Sequence, residues 1–215
     1  MTDAAHTAAK KLPERTVERL SEYRRMLLEC LRQGRTHIYS HELASMHGIT
    51  AVQVRRDLML IGFSSDTKKG YAVEVLIDFI GTILDSPDPL NVGIIGMGNL
   101  AQALTHYFNG KRTQLRITAA FDIDPQKAGR TVAGVPCYHM DTFVETALRH
   151  DIRVVILSSP SSVAAGMVDP ILRAGVRGVL NFTSTPLNFP DSVYVEDYDI
   201  ITWLEKVAYF AKDNR

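Results

Sequence analysis

The stretch Asn91-Val-Gly-Ile-Ile-Gly-Met-Gly-Asn-Leu-Ala101 decides the fold of this chain. Its apolar first half predicts a buried parallel strand, and the glycines that follow predict a tight turn into a helix. Gly96 permits the sharp turn, Gly98 leaves room for a pyrophosphate, and Ala101 replaces the third glycine of the pattern. Free N–H groups at the helix start attract the phosphate charge. The stretch therefore predicts a dinucleotide site formed by Gly96, Met97, Gly98, Asn99 and Leu100.

The acidic residue expected of such a site follows at the usual distance. A second predicted strand, 115–121, ends on Asp122, which lies 21 residues after Ala101. A carboxylate there binds the adenosine ribose hydroxyls, favours NAD and repels the 2′-phosphate of NADP. The alternative is that Asp122 and Asp124 only cap a helix after Asp124-Pro125, because Asp followed by Pro marks a helix start. The agreement of strand, turn and acid favours ribose binding by Asp122, and Asp124 is predicted to be a cap at the edge of the cofactor site.

Composition sets wider limits on what the chain can do. Its 215 residues can form one medium domain or two small ones, and 24 basic side chains balance 24 acidic ones. Residues 1–70 carry 12 basic and 8 acidic side chains, whereas residues 71–215 carry 12 and 16, so only the N-terminal part has a charge suited to nucleic acid. The cysteines and histidines follow no metal-ligand spacing, and no apolar run is long enough to span a bilayer. We therefore expect a metal-free, soluble, cytoplasmic protein.

Residues 16–60 predict three helices in a helix-turn-helix arrangement. Apolar residues recur at helical spacing over 16–31, and Ser40 is predicted to cap a short second helix over 41–47. After a glycine turn, the capping box Thr50-Ala-Val-Gln53 opens a third helix that runs to about residue 60. Such an arrangement is typical of DNA-binding domains, in which the later helix enters the major groove.

The third predicted helix has an outward face suited to the major groove. Its apolar side must face the core and consists of Val54, Leu58 and Ile61. Gln53, Arg56 and Val52 then point outward, and Arg55 lies at the flank, where it can reach a phosphate. Glutamine can read adenine, arginine can read guanine, and a methyl group can contact thymine. The alternative is that Gln53 only completes the capping box and the arginines are solvated.

The segment 62–75 predicts a hairpin, because turn residues separate two short apolar stretches. Directly after a helix-turn-helix, such a hairpin is a wing, with Lys68 and Lys69 at its tip over the DNA backbone. Residues 76–84 are predicted to form a linking helix, and the proline-containing segment 85–89 is predicted to be a domain boundary.

Strands and helices alternate after the glycine turn. Strands are predicted over 134–138, 153–157, 178–182 and 193–195, with helices over 141–149 and 161–174. This alternation predicts an α/β fold with a doubly wound parallel sheet, whose ligand lies at the carboxyl ends of the strands. Those ends are occupied by Ser158, Pro160, Asn181 and Phe182, of which Ser158, Pro160 and Phe182 are predicted to bind the cofactor.

The last predicted helix, 200–210, carries an apolar stripe that some other surface has to cover. A partner subunit is the simplest candidate for that surface. The predicted organisation is therefore a winged-helix domain with a linker over 1–85, a Rossmann domain over 86–198, and a C-terminal dimerisation helix over 199–215.

This order of parts resembles the Rex family of redox-sensing transcriptional repressors. The resemblance runs from about Pro13 to the end, and its motifs are Arg19-Leu20, Ala51-Val-Gln-Val-Arg-Arg-Asp-Leu58, Gly96-Met-Gly-Asn-Leu100 with Tyr107, Phe121-Asp-Ile-Asp-Pro125, Gly175-Val-Arg-Gly-Val-Leu-Asn-Phe182, and Asp199. It implies a homodimer that exchanges its C-terminal helices and binds NADH and NAD. It also implies binding to double-stranded, palindromic operator DNA when NADH is scarce, and release when NADH occupies the site.

The resemblance also implies three residues that couple the parts of the molecule. By motif these are Arg19 on the first helix, Tyr107 after the glycine turn, and Asp199 before the last helix. Tyr107 and Phe182 are in addition the expected walls of the nicotinamide pocket. Taken without the resemblance, Arg19 and Asp199 are surface charges whose pairing contributes at most ~1 kcal/mol.

Three stretches depart from the family pattern. Residues 64–67 replace part of a glycine-rich wing, and Lys68 and Lys69 are the expected substitutes for its DNA contacts. Ser158-Ser159-Pro160 stands where an apolar residue usually precedes the proline, and Thr183-Ser-Thr185 replaces an apolar, proline-containing run.

Two other readings compete with a repressor. The first is an NAD-dependent dehydrogenase with an accessory N-terminal domain, but hydride transfer usually needs a substrate domain and an acid or base facing the nicotinamide. Only one helix follows the predicted sheet, so we expect no enzymatic turnover. The second is a CoA-binding domain, suggested by fold analogy alone, which leaves the predicted winged helix unexplained.

Overall fold

The computed structural model describes residues 12–64, 69–108 and 114–212. The chain divides into two compact units, Met1–Ser86 and Pro87–Arg215. Each unit contains its own cluster of buried apolar residues, as an independently packed domain requires.

In residues 12–64 and 69–86, the N-terminal unit consists of helices and one short antiparallel strand pair. The helices are α1 (Glu14–Arg32), α2 (Ser40–His47), α3 (Ala51–Leu60) and α4 (Val73–Leu84), and the strands are β1 (His37–Ile38) and β2 (Tyr71–Ala72). Buried residues on α1 recur three or four positions apart, which gives one continuous face toward the core, formed by Leu20, Tyr23, Leu27 and Cys30. Val54 and Leu58 of α3 are also buried there, as predicted.

The predicted wing is organised differently in the described residues. Within 62–64 and 69–75 only β2 is a strand, and it pairs with β1, which precedes α2. Gly70 has φ +86°, and a Cβ there would lie 2.6 Å from the carbonyl oxygen of Ile38, so glycine is needed where the turn meets β1. The predicted wing tip at Lys68 lies outside the described residues.

Two helix starts also differ from the prediction. The linking helix α4 begins at Val73 rather than at residue 76, because Val73 and Leu76 are both fully buried and share its core face. Ser40 is the first residue of α2 rather than its cap. The Glu42 carboxylate caps α2 by accepting a hydrogen bond from the Tyr39 N–H at 2.8 Å.

The described residues of the C-terminal unit form one seven-stranded sheet in the order β5-β6-β4-β3-β7-β8-β9. The strands are β3 (Leu90–Ile95), β4 (Leu115–Asp122), β5 (Thr131–Val132), β6 (Val135–His139), β7 (Ile152–Leu157), β8 (Gly178–Asn181) and β9 (Tyr194–Asp197). All neighbours pair in parallel except β5 with β6. After β3 the chain builds the sheet first on one side and then on the other, so the strand order reverses between β3 and β7. This confirms the predicted doubly wound α/β fold, whose ligands bind at that reversal.

Helices cover the sheet, and the core lies on both of its faces. The helices are α5 (Asn99–Phe108), α6 (Phe143–Arg149), α7 (Ser161–Ala164) and α8 (Val168–Arg173). A last helix, α9 (Ile200–Lys212), has no buried residue. Adjacent residues of β3 belong to different clusters: Ile94 packs with Met97 and Ala101, whereas Ile95 packs with Phe121 and Phe143. Because side chains alternate across a strand, an almost continuous apolar strand is what a sheet covered on both faces requires.

Two predicted helices of this unit were wrong in detail. Residues 125–129 form turns instead of a helix, because the Gly129 N–H bonds to the Cys137 carbonyl at 2.8 Å and so draws this segment toward β6. The helix predicted over 161–174 is interrupted by a 3-10 turn, Ala165–Met167. Pro170 explains the interruption, since proline has no N–H and is tolerated only in the first turn of the new helix, α8.

Candidate functional site

The glycine turn after β3 has the geometry of a phosphate-binding turn. Gly96 has φ +87°, and a Cβ there would lie 2.9 Å from the Ser159 nitrogen, so both conformation and crowding require glycine. At Gly98 a Cβ would meet no atom within 4 Å, which leaves open space beside the backbone. Asn99 and Leu100 are exposed at the start of α5, and Ala101 is fully buried where that helix packs on the sheet.

Met97 has a different place from the other residues of the turn. Its side chain is fully buried in the core, and its N–H donates to Asp122 Oδ2 at 2.8 Å. This N–H is therefore directed to the carboxylate of the second strand. Met97 joins the glycine turn to the predicted ribose site.

Asp122, at the end of β4, accepts three hydrogen bonds. It is 8% exposed, and besides Met97 it accepts hydrogen bonds from Lys127 Nζ at 2.9 Å and from the Asp124 N–H at 2.9 Å. Burial raises the pKa of Asp122, but the hydrogen bonds from Lys127, Asp124 and Met97 lower it by more than burial raises it. The pKa of Asp122 therefore lies below its usual value. The group is therefore ionised at neutral pH, as ribose binding requires.

Lys127 is a site residue that the sequence interpretation missed. The spacing Asp122-Ile-Asp-Pro-Gln-Lys127 is compatible with such a pair, but only a turn brings the two ends together, and a helix was predicted instead. Asp124 caps this turn, since its carboxylate accepts the Gln126 N–H at 2.9 Å. Asp124 was predicted to cap a helix, and in the structure it caps this turn instead.

The ends of β7 and β8 form the other side of the predicted cofactor site. The Ser158 hydroxyl donates to the Gly96 carbonyl at 2.8 Å and so fastens β7 to the glycine turn. Pro160 is exposed and directly precedes α7. The Phe182 ring packs against the Tyr198 ring, with 5.6 Å between centroids, two residues before α9 begins. Tyr107 is exposed near the end of α5, with its ring edge-on to Phe108.

The departure at 183–185 has a local explanation. Asn181, at the end of β8, is buried and donates to Asp197 Oδ1 at 2.7 Å and to the Thr185 carbonyl at 3.0 Å. Its own oxygen accepts the Thr183 hydroxyl at 2.7 Å. Polar residues after β8 therefore build a hydrogen-bonded loop, and Asn181 is occupied with holding that loop.

On α3 the predicted DNA-reading residues lie at or near the surface. Arg55, Arg56 and Val52 are exposed, and Gln53 is half-buried. The Gln53 amide nitrogen donates to Asp57 Oδ1 at 2.9 Å; an ionised carboxylate only accepts, so this orientation of the amide is chemically required. Arg55 donates to the Ser40 hydroxyl at 3.0 Å and links α3 to α2. Lys69 is exposed next to β2.

Arg19 is bound to α3 rather than standing alone on the surface. Its guanidinium donates to both oxygens of Asp57 at 2.7 Å, and the Tyr23 hydroxyl donates to the same carboxylate at 2.8 Å. The Arg19 side chain is 19% exposed and that of Asp57 is 2% exposed. Burial raises the pKa of Asp57, yet the hydrogen bonds from Arg19, Tyr23 and Gln53 bring it below its usual value. The alternative reading of Arg19 as a surface charge was therefore wrong, because the guanidinium is mostly buried against Asp57.

The burial of Asp57 could have been predicted from the sequence. It lies between Val54 and Leu58, on the side of α3 that the apolar pattern assigns to the core. A charge on a buried face needs a partner, so the pattern indicated a buried ion pair without identifying Arg19 or Tyr23.

Asp199 caps the last helix. Its carboxylate accepts the Thr202 hydroxyl at 2.6 Å and the Ile201 N–H at 3.0 Å, and the hydrogen bond from Thr202 is the main cause of its lowered pKa. Every residue of α9 is exposed within its own chain. The exposed apolar side chains include Ile201, Trp203, Leu204, Val207 and Phe210.

Within 12–64, 69–108 and 114–212, no group of His, Cys, Asp and Glu side chains could hold a metal ion. In the part of the chain that the structure describes, no helix has the length and apolar character needed to cross a membrane.

Comparison with known proteins gives matches to both units. A family described as "CoA binding domain" matches residues 88–185, and one described as "Putative DNA-binding protein N-terminus" matches residues 11–58. The redox-sensing transcriptional repressor Rex of Leuconostoc citreum is 36% identical over 95% of this chain and 94% of its own length. The Rex protein of Bacillus cytotoxicus is 34% identical over 95% of this chain and 97% of its own.

Solved structures of similar proteins include Rex-family repressors as well. RSP, a Rex-family repressor, has a TM-score of 0.83, 30% identity and 95% coverage of both chains. RSP in complex with NAD+ and operator DNA has a TM-score of 0.87 and 31% identity, and covers 95% of this chain and 94% of its own. The fold and site thus define a helix-turn-helix protein with a dinucleotide-type Rossmann domain. The chain belongs to the Rex family of redox-sensing transcriptional repressors.

Proposed function

We propose that this chain represses transcription by binding operator DNA through its N-terminal unit, and that NADH bound to its C-terminal unit releases it. The Rex-family repressor RSP has been solved with NADH and with NAD+ and operator DNA. The observation that carries the proposal is the geometry of the glycine turn. The turn leaves open space at Gly98, and its Met97 N–H donates a hydrogen bond to the ionised Asp122. NADH and NAD+ are accordingly the cofactors, with Asp122 and the backbone around Gly98 as binding groups.

Neither rival reading accounts for both units. A dehydrogenase leaves the helix-turn-helix without a role, and the Rex relatives are transcriptional repressors. The match to the CoA binding family supports a second candidate ligand, because CoA also carries an adenosine and a pyrophosphate. Calorimetric titration of the protein with NADH, NAD+ and CoA separates these candidates. We expect NADH and NAD+ to bind, and binding of CoA alone would refute the proposed cofactor.

The DNA contacts assigned to the N-terminal unit come from α3 and its surroundings. Arg56 and Gln53 are proposed to read base edges, with Gln53 held in place by Asp57. The proposed backbone contacts are Ser40, Arg55, Lys68 and Lys69. RSP, a Rex-family repressor, has been solved with operator DNA. If this chain binds double-stranded DNA in the same way, it acts where the bacterial DNA lies, and we therefore propose that it is cytoplasmic.

The homodimer is proposed from α9. Asp199 caps the start of this helix, but none of the apolar side chains of the helix is buried in its own chain. A second copy of the chain is therefore proposed to cover them. Exchange of two identical helices gives an isologous dimer with two-fold symmetry. A two-fold dimer reads two equivalent half-sites, so the operator is proposed to be palindromic.

The switch is proposed to depend on the charge of the nicotinamide ring. The oxidised ring is positive and the reduced ring is neutral, so an apolar pocket admits NADH at a lower cost of desolvation. Tyr107 and Phe182 are the proposed walls, with Ser158 and Pro160 at the neighbouring strand end. Phe182 also contacts Tyr198, which directly precedes Asp199. Through this contact, binding of NADH in the pocket would change the position of Asp199 and α9.

Arg19 is proposed to carry the state of the dimer to α3, because it holds Asp57 of that helix. Asp199 of the other subunit is its proposed alternative partner, and Tyr107 the third coupling residue. Arg19→Ala, studied at a temperature where it is folded, should keep its NADH affinity without DNA while operator release no longer responds to NADH. Release at the wild-type NADH concentration would refute this route.

A further inference from the structure

Lys127 is built into the adenosine end of the proposed site. Its ammonium lies 2.9 Å from Asp122 Oδ2 and 4.0 Å from Asp124 Oδ2, and its side chain is 32% exposed. The turn that carries it is fixed by backbone hydrogen bonds, from the Lys127 N–H to the Asp124 carbonyl at 3.0 Å and from the Arg130 N–H to the Lys127 carbonyl at 3.2 Å. The position of the ammonium therefore follows from the fold of the turn.

The hydrogen bonds of Asp122 leave little room for a ribose. An ionised carboxylate has about four acceptor positions. Oδ2 accepts from both Met97 and Lys127, and Oδ1 accepts from the Asp124 N–H. About one position therefore remains, on Oδ1, for a ribose hydroxyl. A second hydroxyl would need another partner, and the Lys127 ammonium has donors to spare.

The pair also changes the charge that a cofactor meets. A lone carboxylate at this position repels a 2′-phosphate, and that repulsion is the usual basis for preferring NADH over NADPH. Here the Lys127 ammonium lies in direct contact with the Asp122 carboxylate. The charges of these two groups cancel, so together they present no net charge to the adenosine ribose. A phosphate placed beside Asp122 would also lie beside Lys127.

We propose that Lys127 is a specificity-determining residue for the cofactor: it completes the ribose site and limits how strongly the protein rejects NADPH. This inference rests on the proposed function, since it assumes that NADH binds at this site. The direction of the Lys127 pKa agrees with it, because the hydrogen bond to Asp122 raises that pKa and keeps the cation charged.

The test compares dissociation constants for NADH and NADPH in the full chain and its variants. Lys127→Gln removes the cation and leaves the Asp122 charge unopposed, so the preference for NADH should rise at least about tenfold. Asp122→Asn removes the repelling charge and leaves the cation, so the preference should fall at least about tenfold or reverse. Lys127→Arg keeps the charge and should stay near the wild-type ratio. A thermal melt checks that each variant is folded.

Arg116→Gln provides the matched control. Arg116 is an exposed cation at the opposite end of β4 from Asp122, so its loss should not change the ratio. An unchanged ratio in Lys127→Gln, with NADH still bound, would overturn the inference and leave the proposed function intact. Absence of NADH binding to the wild-type protein would instead overturn the proposed function itself.

Discussion

Arg19 holds Asp57 through both arms of its guanidinium, Nε to Oδ2 and Nη2 to Oδ1, each at 2.7 Å. The pair joins α1 to the helix proposed to read DNA, across 38 residues of sequence. With Tyr23 and Gln53 it satisfies a carboxylate that is almost completely removed from water. Such a bidentate pair fixes orientation as well as contributing free energy.

Removal of Arg19 should destabilise the N-terminal unit. Arg19→Ala leaves the buried Asp57 charge without its cation, which costs about 3 kcal/mol in comparable buried pairs. The double variant Arg19→Leu/Asp57→Leu should recover much of that loss, because no unpaired charge remains. Urea unfolding measures both, with Arg25→Ala, an exposed position on α1, as the control. Equal stability of Arg19→Ala and wild type would contradict the importance of the pair.

The same pair predicts a dependence of stability on pH. The pKa of Asp57 is lower in the folded chain than in the unfolded chain, so its stabilising contribution is complete above the unfolded pKa of about 4. The contribution is lost as the pH falls through the folded pKa. In Asp57→Asn the free energy of unfolding should therefore decline less steeply below about pH 4. A decline as steep as in wild type would show that Asp57 is not a source of acid sensitivity.

DNA reading by α3 is tested at Arg56. If its guanidinium reads a guanine, Arg56→Ala should weaken operator binding by ~1–3 kcal/mol and affect non-specific DNA much less. Lys69→Ala should instead weaken both kinds of DNA and reduce the salt dependence by about one counterion. Fluorescence anisotropy at several salt concentrations distinguishes the two. Undiminished operator affinity in Arg56→Ala would show that α3 is not the reading helix.

How far the sequence predicts the structure depends on how local the signal is. The turn at Gly96 and the buried side of α3 were predicted, because strand, glycine and helical periodicity each act within a few residues. The helix after Pro125 was predicted wrongly, because its local start signal is overridden by backbone pairing of Gly129 with Cys137. Lys127 was missed for the same reason, since only that turn brings it to Asp122.

Contacts between distant elements were beyond sequence patterns altogether. The apolar spacing of α3 placed Asp57 on a buried side, but its partners Arg19 and Tyr23 come from α1. The strand β1 could not be anticipated either, since His37–Ile38 is too short to show a period and exists only because β2 pairs with it.

The apolar side of α9 is tested by placing a charge within it. Leu204 is 66% exposed in its own chain, so Leu204→Arg should leave the folded chain intact. In the proposed dimer this position is buried, and a charge there should shift the protein toward monomer. Analytical ultracentrifugation measures the shift, and Lys212→Ala, at the end of the same helix, is the control. A variant as dimeric as wild type would exclude the apolar side of α9 as the interface.

The redox state of the nicotinamide is proposed to control DNA binding, and operator affinity measures that control directly. Operator affinity is titrated with NADH and, separately, with NAD+ at equal occupancy. A ligand shifts an equilibrium only through its different affinities for the two states, so NADH should weaken operator binding at least about tenfold, whereas NAD+ leaves it largely unchanged. By reciprocity, operator DNA should weaken NADH binding by the same factor. Equal operator affinity with NADH and with NAD+ would contradict the account.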